Sequence, residues 1–186
     1  GVGAALAARI IRKFGENTFR IIEEEPKRLA EVKGISERKA KEIADQVVGK
    51  QEMRQAMIFL QQYGISQSLG AKIYKAYGQR LYAVLRENPY RLAEDIQGVG
   101  FRMADEIASK IGIRADSDFR IRSGILYALV RSALDGHTCL PAELLGQRAG
   151  ELLGILPEHI EKYYMDLAID KKIIVKETEG GQFIYA

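Results

Sequence analysis

Residues 98–107 read GVGFRMADEI, and this stretch decides the fold because its pattern occurs three more times in the chain. The pattern is a glycine, an apolar residue, a glycine or serine, three residues, a small residue, two residues and an isoleucine. The other copies are GVGAALAARI at 1–10, GISERKAKEI at 34–43 and GISQSLGAKI at 64–73. Because the same residue types recur in the same order and spacing within all four copies, the copies indicate a repeated structural unit rather than chance.

Each copy predicts a tight turn that leads into a helix. The first glycine permits a positive φ, the apolar residue anchors the turn in the core, and the third position begins the helix. Ser36 and Ser66 are favourable N-cap residues. The small residue lets a second helix approach, and the isoleucine lies on the same helix face. We therefore expect two helices joined by a tight turn, with free N–H groups that suit a phosphate.

A longer repeat arranges the four copies in two pairs. Residues 10–44 match residues 73–108 at an offset of 63, which becomes 64 after a one-residue insertion. Phe14 and Phe19 match Tyr77 and Tyr82; base stacking is one interpretation of these aromatics, and core packing is the favoured one. The repeat predicts a first unit at 1–50, expected to be truncated at its N-terminus, a second at 51–113, and a different module at 114–186.

The last module is predicted to hold three helices and a β-hairpin. A helical stripe covers 118–134, Pro141 is placed to open a second helix that runs to about Leu153, and Pro157 opens a third. Segments 138–140, 172–177 and 182–185 are expected to be strands, the last two flanking a turn at Gly180-Gly181. This order of elements is that of a winged-helix-like module.

The four-copy pattern resembles the helix-hairpin-helix motif. The resemblance implies that amides of the hairpins hold successive DNA phosphates without reading bases. It implies a mainly α fold, with two tandem helix-hairpin-helix domains followed by a three-helix, β-hairpin, winged-helix-like module. Copies two and three depart from the motif at Ser36, Ser66 and Gly70. For the third copy, which departs twice, two interpretations stay open: contact with phosphate, or a role in packing only.

The stretch NPYRLAEDIQGVGFRMADEIASKIG at 88–112, with the module after it, resembles the N-terminal region of RecD-like superfamily 1 DNA helicases, the group of the exodeoxyribonuclease V alpha chain. The resemblance implies a sequence-independent DNA-binding accessory region of a bacterial 5′→3′ helicase for DNA repair and recombination, located in the cytoplasm with the nucleoid. DNA and a downstream motor domain are then the partners. ATP and Mg²⁺ belong to the motor, and a monovalent cation is implied at a hairpin. Because nothing reads G-x-x-x-x-G-K-[ST], this chain is not expected to hydrolyse ATP.

The residues predicted to contact DNA lie in the hairpins or directly beside them. They are Gly1, Val2 and Gly3 in the first copy; Lys33, Gly34, Ile35, Ser36, Arg38 and Lys39 in the second; Gly64, Ile65 and Ser66 in the third; and Gly98, Val99, Gly100 and Arg102 in the fourth. Asp105 and Glu106 follow Arg102 closely and are expected to offset its charge.

Charge is divided unevenly along the chain. Residues 1–113 hold 19 basic and 14 acidic side chains, a net +5, whereas residues 114–186 hold 9 and 11, a net −2. The acidic third helix of the last module favours a packing platform over direct DNA contact, with Lys171, Lys172 and Lys176 as the exceptions. Two alternatives stay open: a protein-interaction scaffold with degenerate hairpins, and a junction-binding or nuclease accessory module.

Composition excludes several other classes. At 47% hydrophobic and 28% charged residues the chain is an ordinary globular one. No run approaches the roughly 18 apolar residues of a membrane span, so no membrane partner is expected. One cysteine excludes an internal disulfide, and His137, Cys139 and His159 lack the spacing of a zinc site. We therefore predict no catalytic residue and no metal site.

Overall fold

The computed structural model describes residues 2–186, and these divide by their contacts into two units. The first unit comprises residues 2–62 and 66–74, and the second comprises residues 63–65 and 75–186. The predicted division at 1–50, 51–113 and 114–186 stays a prediction; residue 50 lies within one continuous helix, Glu37–Gln61.

The first unit is a compact set of helices around one apolar core. It contains α1 (Ala4–Phe14), α2 (Thr18–Glu24), α3 (Glu37–Gln61) and 3-10 helices at Gly15–Asn17 and Pro26–Glu31. Helix α4 (Gln67–Tyr77) begins in this unit and ends in the second. The hairpin isoleucine of each copy takes part in the core, because Ile10 and Ile43 are 4% and 2% exposed.

The first part of the second unit repeats this arrangement of helices, and a different module follows it. A 3-10 helix at Gly78–Arg80, α5 (Leu81–Glu87), α6 (Arg91–Asp95) and α7 (Phe101–Ile111) follow the order of their counterparts in the first unit. Gly15 and Gly78 share a positive φ of 53° and 56°, and Leu29 and Leu92 are both fully buried. The sequence repeat is therefore a structural repeat.

The four repeated aromatics do not all belong to the core. Phe14 and Tyr77 are buried, as the repeat predicts, each with 9% exposure. Phe19 is 67% exposed, so core packing was wrong for that position. Its apolar side chain lies on the outer face of the short helix α2, whereas Ile21 and Ile22 of the same helix are buried in the core.

The remainder of the second unit is a helical module with a small antiparallel sheet. It contains α8 (Asp118–Leu134), β1 (Cys139–Pro141), α9 (Ala142–Leu153), α10 (Pro157–Glu161), α11 (Tyr164–Ile169), β2 (Ile174–Thr178) and β3 (Gly181–Tyr185). The strand order is β1-β3-β2, so the terminal hairpin pairs with the short strand before α9. Together with the hairpin repeats, this confirms the mainly α fold.

Two details of this module differ from the prediction. The third helix is divided into α10 and α11 at residues 162–163. Beside the break, the Tyr163 hydroxyl donates to Asp118 of α8, and the Tyr164 hydroxyl donates to the Ala142 carbonyl of α9. The turn of the β-hairpin is Glu179-Gly180, one residue earlier than predicted, because Thr178 pairs with Gly181.

Candidate nucleic-acid interface

The four turns are called hairpins one to four, at residues 1–3, 34–36, 64–66 and 98–100. In the last three, the first glycine has the left-handed backbone that the pattern requires, with φ of 92°, 74° and 93° at Gly34, Gly64 and Gly98. The apolar residue that follows is buried in each case, with 5–6% exposure at Ile35, Ile65 and Val99. These residues therefore position the turns, and their side chains face the core rather than a ligand.

Hairpin four presents an open helix N-terminus. Gly100 is the N-cap of α7 and has no side chain to cover the first turn, and a Cβ atom added there would meet nothing within 4 Å. Within the described residues, the amides of Phe101, Arg102 and Met103 have no acceptor; the Ala104 amide is the first to donate, to Gly100 O at 3.1 Å. Three N–H groups at the positive end of a helix form a site for an anionic oxygen.

Hairpins two and three cover part of the corresponding surface themselves. The Ser36 hydroxyl oxygen accepts a hydrogen bond from the Lys39 amide at 3.2 Å, and the Ser66 hydroxyl oxygen accepts one from the Leu69 amide at 3.3 Å. Serine at the third position of the pattern therefore stabilises its own helix and leaves one amide fewer for a ligand.

Hairpin one is described from Val2 onward, and the predicted contact Gly1 lies outside the described residues. Val2 is half-buried against the core of the first unit. Gly3 is an exposed N-cap without a side chain, and its carbonyl accepts from Leu6 and Ala7 at 3.0 Å. This hairpin shares with hairpin four the glycine cap that leaves the first amides uncovered.

The cations predicted around hairpin two are held in different ways. Arg9 of α1 donates from Nη1 to the Lys33 carbonyl oxygen at 2.8 Å, so the helix after hairpin one braces hairpin two. Arg38 and Lys39 both lie near Glu42, at 3.7 and 3.3 Å. Arg38 nevertheless keeps 91% of its side chain exposed, and surface pairs of this kind are weak.

Arg102 beside hairpin four is not offset by its acidic neighbours, contrary to the expectation from sequence. Asp105 accepts hydrogen bonds from Arg120 at 2.8 and 3.1 Å and from the Tyr90 hydroxyl at 2.6 Å. Glu106 pairs with Lys110 at 3.5 Å. Arg102 is exposed and forms no ion pair within residues 2–186. Its charge is therefore available to a ligand.

The Tyr90–Asp105–Arg120 network fixes α7, and with it hairpin four, to α8. Arg120 also donates to the carbonyl oxygens of Ala115 and Leu153, both at 2.9 Å. Burial and the hydrogen bond to Asp105 raise the pKa of the Tyr90 hydroxyl, so it remains protonated and donating. The sequence did not predict this network, because Tyr90, Asp105 and Arg120 are each fifteen residues apart and come from separate elements. No local pattern of charged residues indicates that they pair.

The lysines predicted as exceptions in the last module are partly engaged. Lys172 pairs with Glu94 at 3.2 Å, and the Lys176 ammonium lies 5.0 Å from the centre of the Tyr185 ring. Lys171 has a left-handed backbone with φ of 57° at the end of α11.

Among residues 2–186 there is no group of three or more His, Cys, Asp or Glu side chains placed to hold a metal ion. In the same residues, no helix has the length and apolar character needed to cross a membrane.

Comparisons with known proteins agree with the hairpin geometry. Residues 49–139 match the family model of the helix-hairpin-helix domain of ATP-dependent RecD2 DNA helicases, and residues 1–47 match that of the SAM-like helix-hairpin-helix tandem. The ATP-dependent RecD2 DNA helicase of Deinococcus radiodurans is 28% identical over 142 residues, which are 76% of this chain and 20% of the relative. The chain thus spans about a fifth of the length of that curated relative. The two family matches and this relative support a helix-hairpin-helix region like that of RecD-like DNA helicases.

Proposed function

We propose that this chain is a DNA-binding accessory region of a RecD-like helicase and that it holds the sugar–phosphate backbone without regard to sequence. The observation that carries the proposal is the first turn of α7. Three amides there lack an acceptor within the described residues, Gly100 leaves open space above them, and Arg102 is free of ion pairs in the same part of the chain.

The same features explain why binding is sequence-independent. Backbone amides and an arginine beside a helix N-terminus are suited to phosphate oxygens, which are alike at every nucleotide. A hold of this kind positions DNA while the base edges stay unread. It suits a strand that moves through the protein, because no contact depends on a particular base.

The properties of the whole helicase follow as part of this proposal. A downstream motor domain uses ATP and Mg²⁺ and moves 5′→3′, while the region described above receives or guides the DNA. The protein serves DNA repair and recombination in the bacterial cytoplasm, with the nucleoid. The phosphate-loop motif G-x-x-x-x-G-K-[ST], which residues 1–186 do not contain, would lie in the motor.

A monovalent cation at a hairpin is an additional part of the proposal. Its ligands would be backbone carbonyl oxygens of the turns. In hairpins two and four the Val32 and Ile96 carbonyls each accept one amide, from Ile35 and Val99, and a carbonyl oxygen retains a second lone pair. A dependence of DNA affinity on K⁺ against Na⁺ at equal ionic strength tests this element.

Fluorescence anisotropy with labelled single-stranded, duplex and forked DNA tests the function. Each form is made in two unrelated sequences, and we expect the affinity for one form to be equal for both within about twofold. A preference of more than about tenfold for one sequence, which is the size of a specific base contact, would contradict backbone recognition.

The scaffold alternative has one observation in its favour, the serine caps that occupy amides of hairpins two and three. It predicts no DNA binding even at low salt. The junction-binding alternative predicts tight binding to branched DNA and weak binding to linear forms, so the same titrations separate all three.

A further inference from the structure

A cleft of about 390 Å³ in the second unit lies beside hairpin four. Three arginines line it, one from each of three helices: Arg102 of α7, Arg131 of α8 and Arg148 of α9. Asp135 and Glu151 lie on its rim. The cleft extends beyond the hairpin amides, and its α8 and α9 walls belong to the module whose net charge is negative.

Arg148 is held in place by a buried hydroxyl. Its Nη1 donates to the Ser132 hydroxyl oxygen at 2.6 Å, and Ser132, which is 1% exposed, donates in turn to the Ala128 carbonyl at 2.8 Å. An arginine held by one of its nitrogens has further N–H donors to offer, and it has lost part of its freedom before any ligand binds.

The three guanidinium groups have no carboxylate partner in the described residues, although two acids line the same cleft. Arg131 lies in the last turn of α8, where the helix dipole favours a cation. The dipole is therefore enough to explain a basic residue at that position. Arg148 lies inside α9 and has no such explanation. Three arginines against two carboxylates leave the cleft with a net charge of +1, and an anion between the arginines lowers their mutual repulsion.

The cleft is continuous with the first turn of α7. The Phe101 ring stacks on the Tyr127 ring with 5.6 Å between centroids, and Tyr127 lines the cleft. Arg102 belongs to both surfaces, since it is the second residue of α7 and a wall of the cleft. The cleft therefore adjoins the α7 amides, with Arg131 and Arg148 on its other walls.

We infer that this cleft is a second binding site for the DNA backbone, in which Arg131 and Arg148 contact phosphodiester oxygens next to those at hairpin four. The inference rests on the proposed function, because its ligand is the same DNA. Planar guanidinium groups match phosphate oxygens in pairs, which suits both Arg148, held by Ser132, and the exposed Arg131. The winged-helix-like module is then a DNA-contacting element rather than a packing platform only.

The test compares DNA affinity of the wild-type chain with that of an Arg131→Gln, Arg148→Gln variant. Loss of two phosphate contacts is expected to raise Kd roughly tenfold or more at about 0.1 M salt and to lower the salt slope by about 2. An Arg80→Gln, Arg86→Gln variant makes the same change of charge at exposed positions outside the cleft and is the matched control.

Two further variants keep the test decisive if loss of the Arg148 hydrogen bond unfolds the module. Arg131→Gln alone removes an exposed side chain and should weaken binding about threefold or more. Asp135→Asn with Glu151→Gln removes the opposing charges and should strengthen binding.

The outcomes distinguish this inference from the proposed function. If the wild type binds DNA and the folded arginine variants bind as tightly, the inference is overturned while the proposed function stands, and the cleft suits an acidic protein segment instead. An equal loss in the Arg80, Arg86 control would also overturn it, since net charge alone would then explain the effect. A wild type that binds no DNA would overturn both.

Discussion

Replacing Gly100 by serine should weaken DNA binding while slightly stabilising the fold. Gly100 has extended backbone angles, φ −98° and ψ 173°, and a Cβ atom there would meet nothing within 4 Å, so the side chain is accommodated without strain. Its hydroxyl would accept from the Met103 amide, as the Ser36 hydroxyl accepts from Lys39. The variant thereby converts the cap of hairpin four into that of hairpin two.

The two effects have opposite signs and different sizes. A serine N-cap is better than glycine by a few tenths of a kcal/mol, so thermal stability should rise slightly. A hydrogen bond to a charged group contributes about 1.5 kcal/mol or more, and the loss of one amide from phosphate binding should raise Kd roughly tenfold. Formal charge does not change, so a charge-only account predicts no effect.

Anisotropy and thermal unfolding of three variants measure these effects. Ser36→Gly makes the reverse change in hairpin two and should tighten binding while costing a few tenths of a kcal/mol. Ser117→Gly is the control, because Ser117 lies outside the four hairpins and caps α8 in the same way, by accepting from the Arg120 amide at 3.3 Å. A folded Gly100→Ser variant with unchanged affinity would refute the role of the α7 amides.

Two other predictions concern stability. Gly150→Ala should destabilise the fold by about 1–3 kcal/mol, because the new Cβ would lie 2.7 Å from the Ile155 carbonyl oxygen, whereas Gly49→Ala inside α3 meets nothing and should stabilise it by up to about 1 kcal/mol; urea unfolding that ranks them in the other order contradicts the packing described. The hydrogen bond to Asp118, with burial, raises the pKa of Tyr163 to about 12. The folded state therefore holds that proton more tightly, and the stability this provides, present below pH 10, should be lost as pH rises from about 10 to 12. A pH titration followed by tyrosinate absorbance should show a phase near pH 12 in the wild type that is missing in Tyr163→Phe. A variant that titrates like the wild type would contradict the assignment.

The local geometry of the hairpins was predictable because each turn is specified by adjacent residues. A glycine, an apolar residue and a cap at fixed spacing predict a positive φ, a buried side chain and a helix start, and all three occur at 34–36 and at 98–100. The internal repeat added the pairing of the copies, since equivalent residues such as Leu29 and Leu92 occupy equivalent core positions.

The charges of the site were not predictable in the same way. Counting neighbours in the sequence paired Asp105 with Arg102, whereas folding brings Arg120, fifteen residues away, onto that carboxylate. The net charge of 114–186 likewise concealed Arg131 and Arg148, which converge with Arg102 only after α7, α8 and α9 pack. Which cations remain free is decided by tertiary contacts, and a sum of charges along the chain does not contain that information.

The salt dependence of DNA binding tests the central claim most directly. If about four phosphates are neutralised by arginine and lysine side chains, a plot of log affinity against log salt should have a slope near −3.6, and affinity should fall roughly 10²-fold between about 50 and 200 mM salt. The slope should be the same for unrelated sequences of one DNA form. Affinity that does not change with salt, or no binding at about 50 mM, would contradict a hold on the DNA backbone.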